Sequence, residues 1–185
     1  EVTQDDRRIS ATAQVTVKPG GLAGLAFEPE EAAVDISGQV KFIARGVDRF
    51  GNPLPGISPD FHADPNVGIM DAEGIFTAGS LAGTFTTSVV ASLQTASTVH
   101  TTTAVVTINP DPLHHAVLEP KDGTVEVNSK REFIATALDR FENAITGLKA
   151  TYWTDGDAGI IDGNGLFTAG FAAGLHEDAV FAEFI

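Results

Sequence analysis

Hydrophobic and polar residues alternate along this chain in short runs, and each run meets glycine, proline or asparagine before a helical period can develop. Gln39 to Asp48 places Val40, Phe42, Ala44 and Gly46 on one face of a strand. Gly51-Asn52-Pro53 then turns the chain, because glycine accepts positive φ and the residue before proline avoids the helical region. Asp60 to Asp64 reads as the next strand, and Gly68 to Asp71 with Gly74 to Thr77 as a hairpin around Ala72-Glu73. Thr84 to Gln94 and Thr101 to Ile108 are longer strands. Leu25 to Glu28 is a short edge strand ended by Pro29, and Ala33 to Ile36 continues it. Ile9 to Lys18 is also expected to be a strand, closed by Pro19-Gly20-Gly21.

The pattern is then written out again. Asp71-Ala72-Glu73-Gly74-Ile75-Phe76-Thr77-Ala78-Gly79 returns as Asp162-Gly163-Asn164-Gly165-Leu166-Phe167-Thr168-Ala169-Gly170, an offset of 91 residues. The same offset carries Val47-Asp48-Arg49-Phe50-Gly51-Asn52 onto Leu138-Asp139-Arg140-Phe141-Glu142-Asn143 without a gap. A fixed offset held through strands and turns implies two copies of one unit of about 90 residues, the size of a small domain. Seven or eight short strands in that length suit an immunoglobulin-like sandwich. The expected fold is therefore all-β, with two tandem immunoglobulin-like sandwiches at residues 22–112 and 113–185. Residues 1–21 are expected to be the final strand of a preceding unit or a donor strand, since Val15-Thr16-Val17 falls on Val106-Thr107-Ile108. The second copy is expected to lack its final strand, because Ile185 falls on Gln94. Asn164-Gly165 is the dipeptide favoured in two-residue hairpin turns with positive φ.

Composition narrows the function. With 25 acidic residues against 11 basic ones and a net charge of −14, the chain is unsuited to a phosphate backbone, and no nucleic-acid partner is expected. There is no cysteine, which removes disulfides, thiolate metal sites and cysteine nucleophiles. No run of 18 apolar residues exists, so no membrane insertion is expected.

Phe42-Ile43-Ala44-Arg45-Gly46-Val47-Asp48-Arg49-Phe50-Gly51-Asn52-Pro53, its partner Phe133 to Ala144, and the two Gly-Ile/Leu-Phe-Thr-Ala-Gly hairpins resemble the bacterial Ig-like tandem repeats of cell-surface proteins. These include adhesins of the invasin and intimin sort and S-layer-associated proteins. The resemblance spans nearly the whole chain and implies an extracellular or cell-surface location, with further copies of itself or adjoining Ig-like repeats as partners. Glu142-Asn143-Ala144 departs from the Gly-Asn-Pro of the first copy, which makes the second turn less typical.

Carboxylates on short loops are what Ca²⁺ selects, so Asp71, Glu73, Asp162 and Asn164 are candidate calcium ligands. Neither loop has the ligand spacing of a dedicated calcium loop, and Asp, Asn and Gly also serve hairpin turns for backbone reasons. Apart from such calcium, no cofactor is expected. His114-His115 reads as a linker pair whose rings face opposite ways. Phe61 and Tyr152 occupy equivalent positions and are candidates for the core, which leaves Trp153 facing outward as a sugar-stacking or partner-contact residue. The opposite arrangement, Trp153 inside and Tyr152 outside, is the alternative. No nucleophile with a base beside it, zinc helix or phosphate loop is present, and no enzymatic activity is expected.

The expected function is a structural repeat of an extracellular stalk or filament, with residues 9–18 of one chain completing the open sandwich of another through Ile9, Ala11, Ala13, Val15 and Val17. A segment of a longer polypeptide is the rival account of the same phase. An adhesin or carbohydrate-binding accessory module, contacting a cell-surface glycan or protein, is the alternative function.

Overall fold

The computed structural model describes residues 11–185. Among these, every regular element is a strand. The first copy contains β1 (Gly24–Glu28), β2 (Glu31–Asp35), β3 (Gln39–Lys41), β4 (Ile43–Val47), β5 (Pro53–Leu54), β6 (Asp60–Ala63), β7 (Gly68–Met70), β8 (Ile75–Ala78), β9 (Gly83–Gln94) and β10 (Val99–Asn109). The second contains β11 (His115–Glu119), β12 (Lys130–Glu132), β13 (Ile134–Leu138), β14 (Ala150–Thr154), β15 (Gly159–Ile161), β16 (Leu166–Ala169) and β17 (Val180–Phe184). The fold is an all-β, immunoglobulin-like sandwich architecture, and among the described residues no ladder joins a strand of one copy to a strand of the other.

In the first copy β2-β10-β9-β6 form one sheet, with β2 parallel to β10 and the other pairs antiparallel. The remaining strands form β1-β4-β5 and β3-β8-β7. β3 and β4 are one expected strand divided at Phe42, whose N–H leaves the ladder and donates to Gly74 O at 2.8 Å. That break lets one run of chain pair with β8 on one side of Phe42 and with β1 on the other. Alternation decides which side chains go inside: Phe76 and Ala78 from β8, Val89 and Ala91 from β9, and Ala104, Val106 and Ile108 from β10 are buried together with Phe27, Phe42 and Ala44. Phe27 meets Phe42 edge-on, with centroids 5.6 Å apart.

The second copy repeats these pairings at the same offset. β11 pairs with β13, β12-β16-β15 form a sheet, and β14 pairs with β17. Phe133 N–H donates to Gly165 O as Phe42 does to Gly74 O, and Phe167 is buried in β16 as Phe76 is in β8. Three features of the first copy are not repeated. β5 shrinks to a single bridge between Leu138 and Ala144. Nothing among the described residues pairs with the outer edge of β17, where β10 lies against β9 in the first copy. The counterpart of β2, residues 122–126, accordingly forms no ladder. Without that sheet the core is shallow: Val180 and Ala182, counterparts of the fully buried Val89 and Ala91, are only partly covered.

Two expectations are corrected. Residues 11–18 form no strand; they have no neighbouring ladder to join, and Val15 and Val17 are 80% and 88% exposed. Ile9 lies outside the described residues. The hairpin loop at Asn164-Gly165 is not a two-residue turn: it spans Asp162 to Gly165 between β15 and β16, and of that pair only Gly165 has positive φ. Gly74 and Gly165 both need that conformation, and a Cβ at either would collide with the carbonyl of Phe42 or Phe133.

Candidate functional site

Each copy has a corner directly after its long inner strand, built from the Asp-Arg-Phe-x-Asn run. In the first copy Asp48 follows β4. Its Oδ1 accepts the N–H groups of Phe50 and Asn52, both at 2.9 Å, and its Oδ2 accepts Gly20 N–H at 2.8 Å. The Asn52 amide donates to both carboxylate oxygens, at 3.2 and 3.0 Å. Asp48 thus ties the entering chain at Gly20 to the turn that leaves β4. Its carboxyl is held far below the usual range, first by the Asn52 side chain and then by Gly20 N–H, with burial acting in the opposite sense. Arg49 lies over the Phe50 ring at 4.6 Å from the centroid.

The second corner follows β13 with the same geometry. Asp139 is fully buried and accepts Phe141 N–H at 2.8 Å, Asn143 N–H at 2.9 Å and Asp111 N–H at 3.0 Å. Asp111 is the counterpart of Gly20 and lies in the link between β10 and β11. Burial alone would raise the Asp139 carboxyl, but the Asn143 amide and the three backbone donors outweigh it and bring it down to about 2. Arg140 lies over Phe141 at 4.7 Å and reaches Asp111 Oδ2 at 2.7 Å.

The corners differ in what their asparagine touches. Asn143 is 9% exposed, and its side chain reaches into the first copy. Nδ2 donates to Ser80 O at 2.8 Å and to Asp139 Oδ2 at 2.9 Å, while Oδ1 accepts Ala82 N–H at 2.9 Å. Ser80 and Ala82 belong to the loop between β8 and β9. One amide therefore clamps two main-chain groups across the junction, and Asp139 fixes its orientation. Asn52 is exposed, and no donor reaches its Oδ1 among the described residues.

The residues singled out from sequence lie elsewhere. Asp71 Oδ1 accepts Glu73 N–H at 3.0 Å and Ile75 N–H at 2.7 Å, and Asp162 Oδ1 accepts Asn164 N–H at 2.9 Å and Leu166 N–H at 3.0 Å. Both aspartates cap their own hairpin loops. The Asp162 carboxyl is lowered chiefly by Leu166 N–H and then by Asn164 N–H. Among the described residues no three His, Asp or Glu side chains converge as a metal site. Tyr152 is partly buried and accepts Ala135 N–H on its hydroxyl at 3.0 Å, whereas Trp153 is 42% exposed. Trp153 stacks flat on its cross-strand neighbour Phe181, with centroids 5.5 Å apart and planes at 6°. The rings of His114 and His115 meet, with Nδ1 atoms 3.2 Å apart, instead of facing opposite ways; His114 precedes β11, so strand alternation does not govern it.

In the sequence the Asp-Arg-Phe-x-Asn run is legible as a repeat, as turn chemistry and as part of the family resemblance, but not as a junction. The run does carry a signal beyond turn chemistry. Asp and Asn are retained in the second copy while Gly51 and Pro53, the residues a turn needs most, become Glu142 and Ala144.

No protein-family model and no curated protein sequence matches the chain. Among solved structures, domains 4 and 5 of the S-layer protein SbsC align with 89% of this chain and 94% of that one, at 17% identity and a TM-score of 0.38. The longer SbsC structure of domains 1–6 aligns with 90% of this chain at 18% identity and a TM-score of 0.38, and the chain spans 27% of its length. The Escherichia coli adhesin FdeC aligns with 83% of this chain and 57% of its own, at 20% identity and a TM-score of 0.46. To these bacterial surface proteins the chain is similar in its all-β fold.

Proposed function

We propose that this chain is a non-enzymatic structural module of an extracellular surface stalk or filament, built of units 22–112 and 113–185. In this reading a strand from a further copy, or from an adjoining repeat, completes the second sandwich. The observation that carries it is the outer edge of β17, with which no strand among the described residues pairs, beside residues 122–126, which join no ladder among the described residues. Unpaired N–H and C=O groups along such an edge favour addition of a strand. Residues 11–18 suit the role: they are exposed, and the 91-residue offset places Val15 and Val17 where Val106 and Ile108 enter the first core. Sedimentation tests it. The full chain is expected to form head-to-tail species that disappear when residues 1–20 are removed, and equal assembly with and without them rejects strand exchange.

A second reading, an adhesin or carbohydrate-binding accessory module, is favoured by exposed Trp153, stacked on half-buried Phe181 across β14 and β17. Flat aromatic surfaces of this kind bind sugar faces and protein anchors. Glycan or cell-surface binding that is lost in Trp153→Ala with the fold intact would select this reading over a spacer.

A further inference from the structure

The junction between the two copies has a donor half and an acceptor half, and the molecule carries a second example of each. The acceptor half is the loop after β8, where Ser80 O and Ala82 N–H meet the Asn143 amide. Its counterpart after β16 offers Phe171 O and Ala173 N–H, bends at Phe171 as the first loop bends at Ser80, and is exposed from Phe171 to Gly174. No hydrogen bond occupies either main-chain group among the described residues. The donor half is the Asp139–Asn143 corner, and its counterpart is Asp48–Asn52. There the carboxylate already holds the amide, and the amide oxygen is without a donor among the described residues. The aromatic residues agree: Phe141, at the occupied corner, is 40% exposed, whereas Phe50 is 72% exposed.

We propose that the loop Gly170–Gly174 is a docking site for a second copy of this chain, engaged through the Asp48–Asn52 corner of that copy. The incoming Asn52 donates from Nδ2 to Phe171 O and accepts Ala173 N–H on Oδ1, as Asn143 does at the internal junction. Asp48, backed by Gly20, Phe50 and Asn52, holds the amide in the orientation that both bonds require. Residues 11–18 of the incoming copy then lie beside β17, so this interface rests on the strand-complementation reading and adds the contact that sets its angle. The contact is head-to-tail and recurs at both ends of each copy, so it joins copies in series.

Nuclear magnetic resonance on a dilute ¹⁵N-labelled full chain, titrated with unlabelled full chain to about 1 mM, tests the proposal. The amide signals of Phe171 to Gly174 are expected to move. An unlabelled Asn52→Ala chain is expected to need a roughly tenfold higher concentration for the same displacement, the effect of losing two hydrogen bonds. Asn52 is exposed, so the variant is expected to keep its fold, and a separate ¹⁵N-labelled sample of Asn52→Ala with the signals of Phe76 and Val89 unshifted verifies it. No movement at Phe171 to Gly174, or equal movement with both chains, overturns the proposal. Signals of Val180 to Phe184 report separately on strand addition. If they move while those of Phe171 to Gly174 do not, strand complementation stands and this docking site is rejected. The reverse result, movement at Phe171 to Gly174 with none at Val180 to Phe184, rejects strand addition and overturns the interface in the form proposed.

Discussion

Glu142 occupies a position that suits glycine. Its φ is 68°, where its counterpart Gly51 has 82°, and a residue with a Cβ pays for the left-handed conformation. Its contact with His115, at 3.5 Å between exposed side chains, returns little. Glu142→Gly is therefore expected to stabilise the chain by about 1 kcal/mol, read as a higher midpoint in urea denaturation. The buried aspartates impose a pH dependence. Asp139 has a folded pKa of about 2 against an ordinary 3.8, so the stability it confers is fully present above the higher value and fades as pH falls toward the lower one. Asp48 contributes in the same direction. Melting temperature measured from about pH 5 down to about pH 2 is expected to fall steeply, and less steeply in Asp139→Asn.

Strand by strand, the two copies share a sequence pattern but differ in how deeply it is buried. Phe76 lies under a four-stranded sheet and is fully buried, while Phe167 has only β14 and β17 in the corresponding place. Phe76→Ala is expected to cost about 3–5 kcal/mol, and Phe167→Ala less, because the second core already admits solvent. Calorimetry is expected to resolve two transitions, with the lower one moved by Phe167→Ala alone. The strands themselves were legible in the residues because alternation and turn chemistry agree: Phe42, Ala44 and Gly46 share the buried face read from their spacing. What could not be read was dependence on a neighbour. Residues 11–18 and 122–126 carry strand-forming residues, yet a ladder needs a partner edge, and no local pattern encodes whether one is present. The division of one run into β3 and β4 was hidden for the same reason, since Phe42 keeps its inward face while its N–H changes partner.

At the scale of the whole molecule, the joint is small and specific. A cleft lined by Pro110, Pro112, Leu113, Ile145, Leu148 and Ile185 opens near the link between the copies. Across the junction run the two hydrogen bonds of Asn143, together with the hold of Asp139 on Asp111. Asn143→Ala is expected to remove about 1–3 kcal/mol of coupling between the copies while leaving each sandwich folded. Small-angle scattering would then record a broader range of end-to-end distances, with strand content by circular dichroism unchanged. The corner was visible as a repeat but its role was not, because the residues it clamps lie about sixty positions away and present no distinctive side chain.

That last property has a reach of its own. Asn143 reads the carbonyl of residue 80 and the N–H of residue 82, and neither atom depends on which side chain follows. Ser80-Leu81 of the first loop is replaced by Phe171-Ala172 in the second, while Ala82 and Ala173 are the same. The side chains of the loop after β8 are therefore free to change while the hold of Asn143 on its main chain, and with it the joint between the copies, is kept.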